Sequence, residues 1–289
     1  MAIPAVIQAL RPKQWVKNVL VIAAPFAAGR IGQRSVIIDV IVAFVAFCLA
    51  SSAVYLLNDV RDAPKDRLHP VKKNRPIATG QVSPTVAVVL AAVLLIVSLG
   101  LSSLAEPALL WVIIAYLLIQ ALYVFWLKNQ PVLDLAVVAS GFLLRALAGG
   151  AATGIAISDW FLLVAGFGSL FVVAGKRYSE LVDPQFGGAE IGQTRSTLTS
   201  YTQTYLRFVW TVAAALTIMV YSLWVITVPR QHTTATLLSL VPFALGLLVY
   251  ALAVDNGDGG EPETEILRNP VLIGLGILWA ATLGITLYI

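Results

Sequence analysis

The sequence predicts an all-α polytopic membrane protein, with about nine transmembrane helices in two four-helix halves around a central cavity that opens to the cytoplasm. Three observations predict it. The 289-residue chain is 59% hydrophobic with a mean hydropathy of +0.87, too apolar for a soluble domain of that size. Apolar runs of about 20 residues recur along it, the length that crosses a bilayer core. Lys and Arg are shared very unevenly between the segments that connect those runs.

Residues 1–17 form a basic, partly amphipathic end carrying Arg11, Lys13, Trp15 and Lys17, a mixture suited to the headgroup layer. No cleavable signal peptide is expected, because the first ten residues are short and the basic residues follow them. Nine spans come next, near 16–29, 36–57, 84–104, 107–127, 131–154, 158–175, 204–228, 234–254 and 270–288. The first is short and calls for tilt or close packing. With the amino end cytoplasmic, that side holds 14 Lys and Arg and the other side only Arg30, Arg34 and Arg230. This positive-inside bias places a multi-pass chain in the cell membrane with its polar loops in the cytoplasm. Those loops are 58–83 and 176–203, each following a descending helix. Spans two to five and six to nine therefore form a topological repeat without sequence identity. The whole chain, 1–289, reads as one transmembrane domain. Cys48 is the single cysteine, so no internal disulfide exists, and its apolar run makes it a core thiol.

The stretch from Asn58 to Gly80 reads NDVRDAPKDRLHPVKKNRPIATG. Asn58, Asp59, Asp62 and Asp66 place three carboxylates and an amide in nine residues. Such a cluster repels itself unless a divalent cation neutralises it, and Mg²⁺ is held by one or two carboxylates plus substrate phosphates. Arg67, His69, Lys72, Lys73 and Arg75 follow, the cations a phosphorylated ligand needs. Asp59 and Asp62 share a helical face, whereas Pro64 is expected to end the helix and return Asp66 from a turn. The competing reading is a solvated, charge-balanced loop.

This stretch resembles the first aspartate-rich motif, NDxxDxxxD, of the UbiA superfamily of intramembrane transferases, matching at Asn58, Asp59, Asp62 and Asp66, with RPI at Arg75, Pro76 and Ile77. LRPKQWVKN at the amino end, HPVKKNRPIATG, LLRALAGG around Arg145 and GKRYSELVD from Gly175 are most similar to the decaprenyl-phosphate phosphoribosyltransferases of that superfamily. The resemblance spans nearly the whole chain. It implies a UbiA-like fold and Mg²⁺ on Asn58, Asp59, Asp62 and Asp66. It also implies transfer of 5-phosphoribose from phosphoribosyl diphosphate to decaprenyl (polyprenyl) phosphate, for cell-envelope arabinan (arabinogalactan) precursors. Asp59, Asp62 and Asp66 would then be the catalytic carboxylates.

The second polar loop departs from the superfamily's prenyltransferases, which carry another aspartate cluster there. This chain has Lys176, Arg177, Tyr178, Glu180 and Asp183 instead, which favours a site holding several phosphates. The bland alternative makes Lys176 and Arg177 ordinary positive-inside residues. Arg145 lies deep in the fifth span, where charge is costly and functional by default. Asp134, a carboxylate of the first motif or a substrate phosphate are its candidate partners. Ala146, Gly150 and Gly154 suit close helix packing. The acidic, glycine-rich segment 255–265 reads as a mobile solvated connection, with a lid as the alternative. Tyr201, Tyr205 and Trp210 read as packing or interfacial aromatics.

In the mechanism so implied, Lys72, Lys73 and Arg75 hold donor phosphates, with Asn58, Arg67 and His69 beside them. Lys17, Arg145, Lys176 and Arg177 attract the lipid phosphate, flanked by Tyr178 and Glu180. The lipid phosphate is already anionic, so no general base is required. Partners are the two substrates and the bilayer. Nucleic acid is not among them, and a homo-oligomer stays open. Rival readings are a UbiA-type aromatic prenyltransferase using a prenyl diphosphate and an anion transporter. Charges concentrated on one face argue against transport.

Overall fold

The computed structural model describes residues 4–68, 72–182, 196–227 and 233–288, and among them it contains helices and no strand. Eight helices are long and apolar enough to cross a membrane. They are α3 (Arg34–Asp66), α4 (Pro84–Ala105), α5 (Pro107–Phe125), α6 (Leu133–Thr153), α7 (Asp159–Val182), α8 (Gln203–Thr227), α9 (Thr233–Asp255) and α11 (Pro270–Tyr288). Among the described residues three short α-helices accompany them: α1 (Ala5–Ala9), α2 (Ala23–Ala27) and α10 (Pro262–Arg268).

The expected first span, 16–29, is not an α-helix. A 3₁₀ helix runs from Pro12 to Ile22 for 11 residues and passes into α2. At about 2.0 Å rise per 3₁₀ residue and about 1.5 Å per α residue, the two together reach about 30 Å. This stretch is not among the eight helices long and apolar enough to cross a membrane, one fewer than the nine spans expected.

Helix starts follow local chemistry. Ser83 caps α4 by accepting from the Val86 amide at 3.2 Å, and Ser158 does the same for the Phe161 amide at 3.2 Å. Thr202 accepts from Tyr205 N at 3.1 Å before α8, and Asn269 from Val271 N at 3.1 Å before α11. Proline stands at the first position of α4 and α5, where its missing amide costs nothing.

The chain forms two compact units; one boundary falls at 156/157, between the expected fifth and sixth spans, and another falls inside α6, so that 128–143 join the second unit. The first unit holds the described residues within 1–26, 30–127 and 144–156. Its core joins Val21, Val36, Ala43, Phe47, Leu109, Ile113, Tyr116 and Ala148. A second cluster joins Ala9, Ala53, Leu56, Ile77, Val82 and Ala87. The 3₁₀ helix lies against α6 so closely that a Cβ on Gly149 would stand 1.8 Å from the Val21 carbonyl oxygen. The close approach is thus at Gly149, one residue off the expected Ala146-Gly150-Gly154 series, while Gly154, at φ +63°, ends α6.

The second unit holds the described residues within 27–29, 128–143 and 157–289. Its core gathers Leu135, Phe171, Ala174, Tyr178, Leu206, Trp210, Tyr250 and Val254. The turn after α9 is seated on α7, not a free lid. A Cβ on Gly259 would meet Ser179 Oγ and Val254 at 2.7 Å, and Gly257 takes φ +93°. Large apolar side chains such as Ile96, Trp111, Leu252 and Ile277 are exposed, as lipid-facing surfaces require. The chain is a multi-pass membrane protein.

Candidate active site

α3 carries the aspartate-rich motif at its end and runs nine residues beyond the expected 57, through Asp66. Pro64 lies inside the helix. It sits so near the end that only one ladder bond is lost, and the ring's φ is already helical. Asp66 is therefore the last residue of α3, not a return from a turn. Asp59, Asp62 and Asp66 follow at i, i+3 and i+7, on one face. Asp59 and Asp66 are buried at 3% and 5% exposure, while Asn58 and Asp62 are half-buried.

Two arginines converge on this face. Arg75 Nη1 donates to Asp66 Oδ2 at 2.7 Å and to Asp59 Oδ1 at 3.1 Å. Arg11 Nη2 donates to the same Asp59 Oδ1 at 2.5 Å, and its guanidinium lies 4.9 Å from the Tyr55 ring centroid. Arg11 takes φ 56°, a conformation that bulky L residues seldom adopt. Its place at the turn from α1 into the 3₁₀ helix sends the side chain onto α3.

Arg75 is delivered by an anchored loop. Ile77, Ala78 and Val82 are buried, Gly80 turns at φ +82°, and Arg67 Nε donates to the Ala78 carbonyl at 3.1 Å. Arg67 therefore fastens the loop. Lys72 and Lys73 form a short 3₁₀ turn before it, with Lys73 exposed and Lys72 half-exposed. His69 lies outside the described residues, as do Asp183, Arg195 and His232.

A second polar nest of the same unit surrounds Arg145. Its Nε donates to Asn18 Oδ1 at 2.7 Å and its Nη2 to Tyr116 Oη at 3.3 Å. The guanidinium stands 5.1 Å from the Tyr116 centroid and 5.7 Å from that of Phe47. Asn18 completes the chain by donating to Cys48 Sγ at 3.2 Å. An amide, a phenol and two aromatic faces thus solvate the deep cation. Asp134, one of its three candidate partners, belongs to a different cluster. Lys17, one residue before Asn18, is half-exposed.

That cluster lies in the second unit. α7 continues past the expected 175 to Val182, so Lys176, Arg177, Tyr178 and Glu180 are helical rather than loop residues. Arg177 is 2% exposed. Its Nε lies 3.5 Å from Asp134 Oδ2, and its Nη1 donates to Glu180 Oε2 at 3.0 Å. Asp134, fully buried, also accepts from Tyr201 Oη at 2.5 Å and Thr197 Oγ1 at 3.2 Å. Tyr201 in turn accepts from the Val132 amide at 2.6 Å, and Val132 is held at φ 69°, a costly backbone for a β-branched residue. Burial pushes the Tyr201 phenol well above its usual range, and the bond to Asp134 adds to the shift. Tyr178 Oη accepts from Arg207 at 2.6 Å and donates to Asp255 at 3.3 Å, tying the turn after α9 to α7.

The carboxylates fit a hard cation. Asp59 Oδ1 and Asp66 Oδ2 both reach one nitrogen of Arg75, at 3.1 and 2.7 Å, so they embrace a single positive centre. Among the described residues no three His, Cys, Asp or Glu side chains converge tightly enough to hold an ion alone.

A profile of the UbiA prenyltransferase family matches residues 19–286. The chain belongs to the UbiA prenyltransferase family. It is 50% identical over 98% of its length, and 86% of the relative's, to a decaprenyl-phosphate phosphoribosyltransferase of Corynebacterium glutamicum. It is 48% identical to the Mycobacterium tuberculosis protein of that name, over 98% of this chain and 94% of that one. Among solved structures, a UbiA homolog from Archaeoglobus fulgidus bound to GPP and Mg²⁺ superposes with a TM-score of 0.74 at 18% identity, covering 97% of this chain and 98% of that one. That homolog confirms the UbiA fold.

Against this UbiA frame, two of the interacting side chains were missed from sequence. Arg11 reads as part of the basic interfacial end, and Asn18 falls in the expected first span with no role assigned. Their only signal was membership of LRPKQWVKN.

Proposed function

We propose that the chain transfers 5-phosphoribose from phosphoribosyl diphosphate to decaprenyl or a related polyprenyl phosphate, with release of diphosphate, at the cytoplasmic face of the cell membrane. One observation carries the reading: 48–50% identity across 98% of the chain to enzymes of that name. The replacement of a second carboxylate cluster by Lys176-Arg177 supports it, since an anionic acceptor needs cations.

The chain's own groups suit the chemistry. Lys73 is exposed on its short turn, with Lys72 beside it, and its flexible ammonium suits donor phosphates. Arg75 and Arg11 already meet the aspartate face and offer guanidinium donors to diphosphate oxygens as well as carboxylates. Asp59 and Asp66, with Asp62 one turn from each, would hold magnesium, whose charge makes diphosphate a better leaving group. The anomeric carbon–oxygen bond breaks with its electron pair leaving on the diphosphate. A new bond forms from that carbon to an oxygen of the lipid phosphate. No proton moves, so no general base is required. The lipid phosphate is assigned to Lys176 and Arg177 of α7.

The test is diphosphate release by purified protein in lipid nanodiscs, with each donor offered against each acceptor. Phosphoribosyl diphosphate with polyprenyl phosphate should turn over, and only with a divalent cation. Turnover of a prenyl diphosphate with an aromatic acceptor, and not with the first pair, would replace this reading with the aromatic prenyltransferase.

A further inference from the structure

Arg11 is brought to the aspartates by a turn fastened to α3. Ser52 Oγ donates to the Leu10 carbonyl at 2.9 Å and accepts from Trp15 Nε1 at 3.0 Å, so both flanks of Arg11 hang on one hydroxyl. Ser52, Tyr55 and Asp59 follow at i, i+3 and i+7 on one face of α3. Along that face the Arg11 side chain passes the Tyr55 ring and ends on Asp59 Oδ1. Arg75 Nη1 meets the same oxygen. Two guanidinium groups thus neutralise one buried carboxylate.

The two cations are not equivalent. Arg75 also holds Asp66 at 2.7 Å, and its loop is anchored by buried Ile77, Ala78 and Val82. If it lost Asp59 it would keep its place. Among the described residues Arg11 pairs with Asp59 and with no other carboxylate. Its side chain is 24% exposed, and its backbone stands at φ 56°, a conformation that persists only where surrounding contacts impose it. Arg11 is therefore the cation more readily exchanged. A divalent cation on Asp59 would put two like-signed groups on one carboxylate, where they repel. That repulsion is relieved once Arg11 has an anion of its own. A guanidinium offers diphosphate oxygens the same paired donors that it offers a carboxylate.

We propose that Arg11 is an exchangeable counter-ion, which makes the aspartate face selective for a divalent cation carried by a diphosphate over the free cation. Without ligand Arg11 holds Asp59 and competes with free metal; with the metal–diphosphate pair it turns from Asp59 to the diphosphate. The inference rests on the metal assignment proposed above for Asp59 and Asp66, and it names the residue that sets the selectivity of that site.

The experiment is titration calorimetry of the full-length protein in phosphatidylcholine nanodiscs, with Mn²⁺ alone and with preformed Mn²⁺–diphosphate. Wild type should bind the complex more tightly than the free ion. Arg11→Gln keeps a hydrogen-bond donor and loses the charge. It should bind free Mn²⁺ about tenfold more tightly than wild type and the complex about tenfold more weakly. Arg11→Lys, which restores the charge, should return both affinities toward wild type. A merely structural role predicts weaker binding of both ligands, so a fall in both for Arg11→Gln would overturn the proposal. Unchanged affinities, or no rescue by lysine, would overturn it equally. Adding Asp59→Asn to Arg11→Gln should abolish the gain in free Mn²⁺ affinity. A gain that survived there would take the metal off Asp59 and remove the metal assignment itself, a failure distinct from that of the exchange.

Discussion

Asp59 is buried against two guanidinium groups, and Asp66 shares one of them. Replacing the Asp59 carboxylate with an amide keeps shape and removes the charge that both arginines face. Because Arg11 and Arg75 reach solvent, the stability cost should stay near about 1–3 kcal/mol. Turnover depends on the charge and should fall more than about a hundredfold in Asp59→Asn. Asp62→Asn, with a half-buried carboxylate, should instead raise the magnesium concentration needed for half-maximal diphosphate release. Normal turnover of both variants at limiting magnesium would remove the metal assignment. A second residue-scale test concerns Tyr201. Its folded pKa lies above the unfolded value, so the stability it contributes is complete below about pH 10 and lost as pH rises beyond it. Thermal unfolding of wild type should therefore weaken above about pH 10 more steeply than that of Tyr201→Phe. An identical slope in the two would show that the phenol does not titrate against Asp134. The sequence displayed these residues unequally. The aspartates announce themselves by clustering, whereas Arg11 and Asn18 differ from interfacial residues only in what they touch.

Hydropathy locates where a helix leaves the apolar layer, not where it stops being helical. α3 and α7 both run past their expected ends, because Asp59, Asp66, Lys176 and Arg177 are good enough helix formers once their charges are paired. The expected first span is instead a 3₁₀ segment followed by a short α-helix. Its position depends on Gly149. Gly149→Ala would drive a methyl to 1.8 Å from the Val21 carbonyl, so the 3₁₀ helix must shift away from α6. Melting in detergent should drop by several degrees, as expected for overpacking of about 1–3 kcal/mol. Gly100→Ala, in α4 with open space around it, should be neutral or slightly stabilising, since alanine favours helix. Equal behaviour of the two variants would show that the close approach is not constraining.

At the scale of the molecule, the fold class and eight of the apolar spans were legible, because lipid forces backbone bonds inward and leaves a long apolar signature. The division inside α6 was not, since nothing in a continuous apolar helix marks where its neighbours change. Orientation rests on charge asymmetry and is open to direct test. Cys48 is buried, so the native chain already serves as a background for introduced cysteines. Gln81 is exposed in the loop that carries Arg75, and Ser103 is exposed near the far end of α4. α4 has 22 residues, about 33 Å at about 1.5 Å each, enough to put the two positions on opposite sides of a bilayer. Gln81→Cys in intact cells should resist an impermeant maleimide and react in inverted vesicles, and Ser103→Cys should do the reverse. Reaction of Gln81→Cys from outside intact cells would invert the topology, and the aspartates would then face away from the pool of phosphorylated metabolites that the proposed donor comes from.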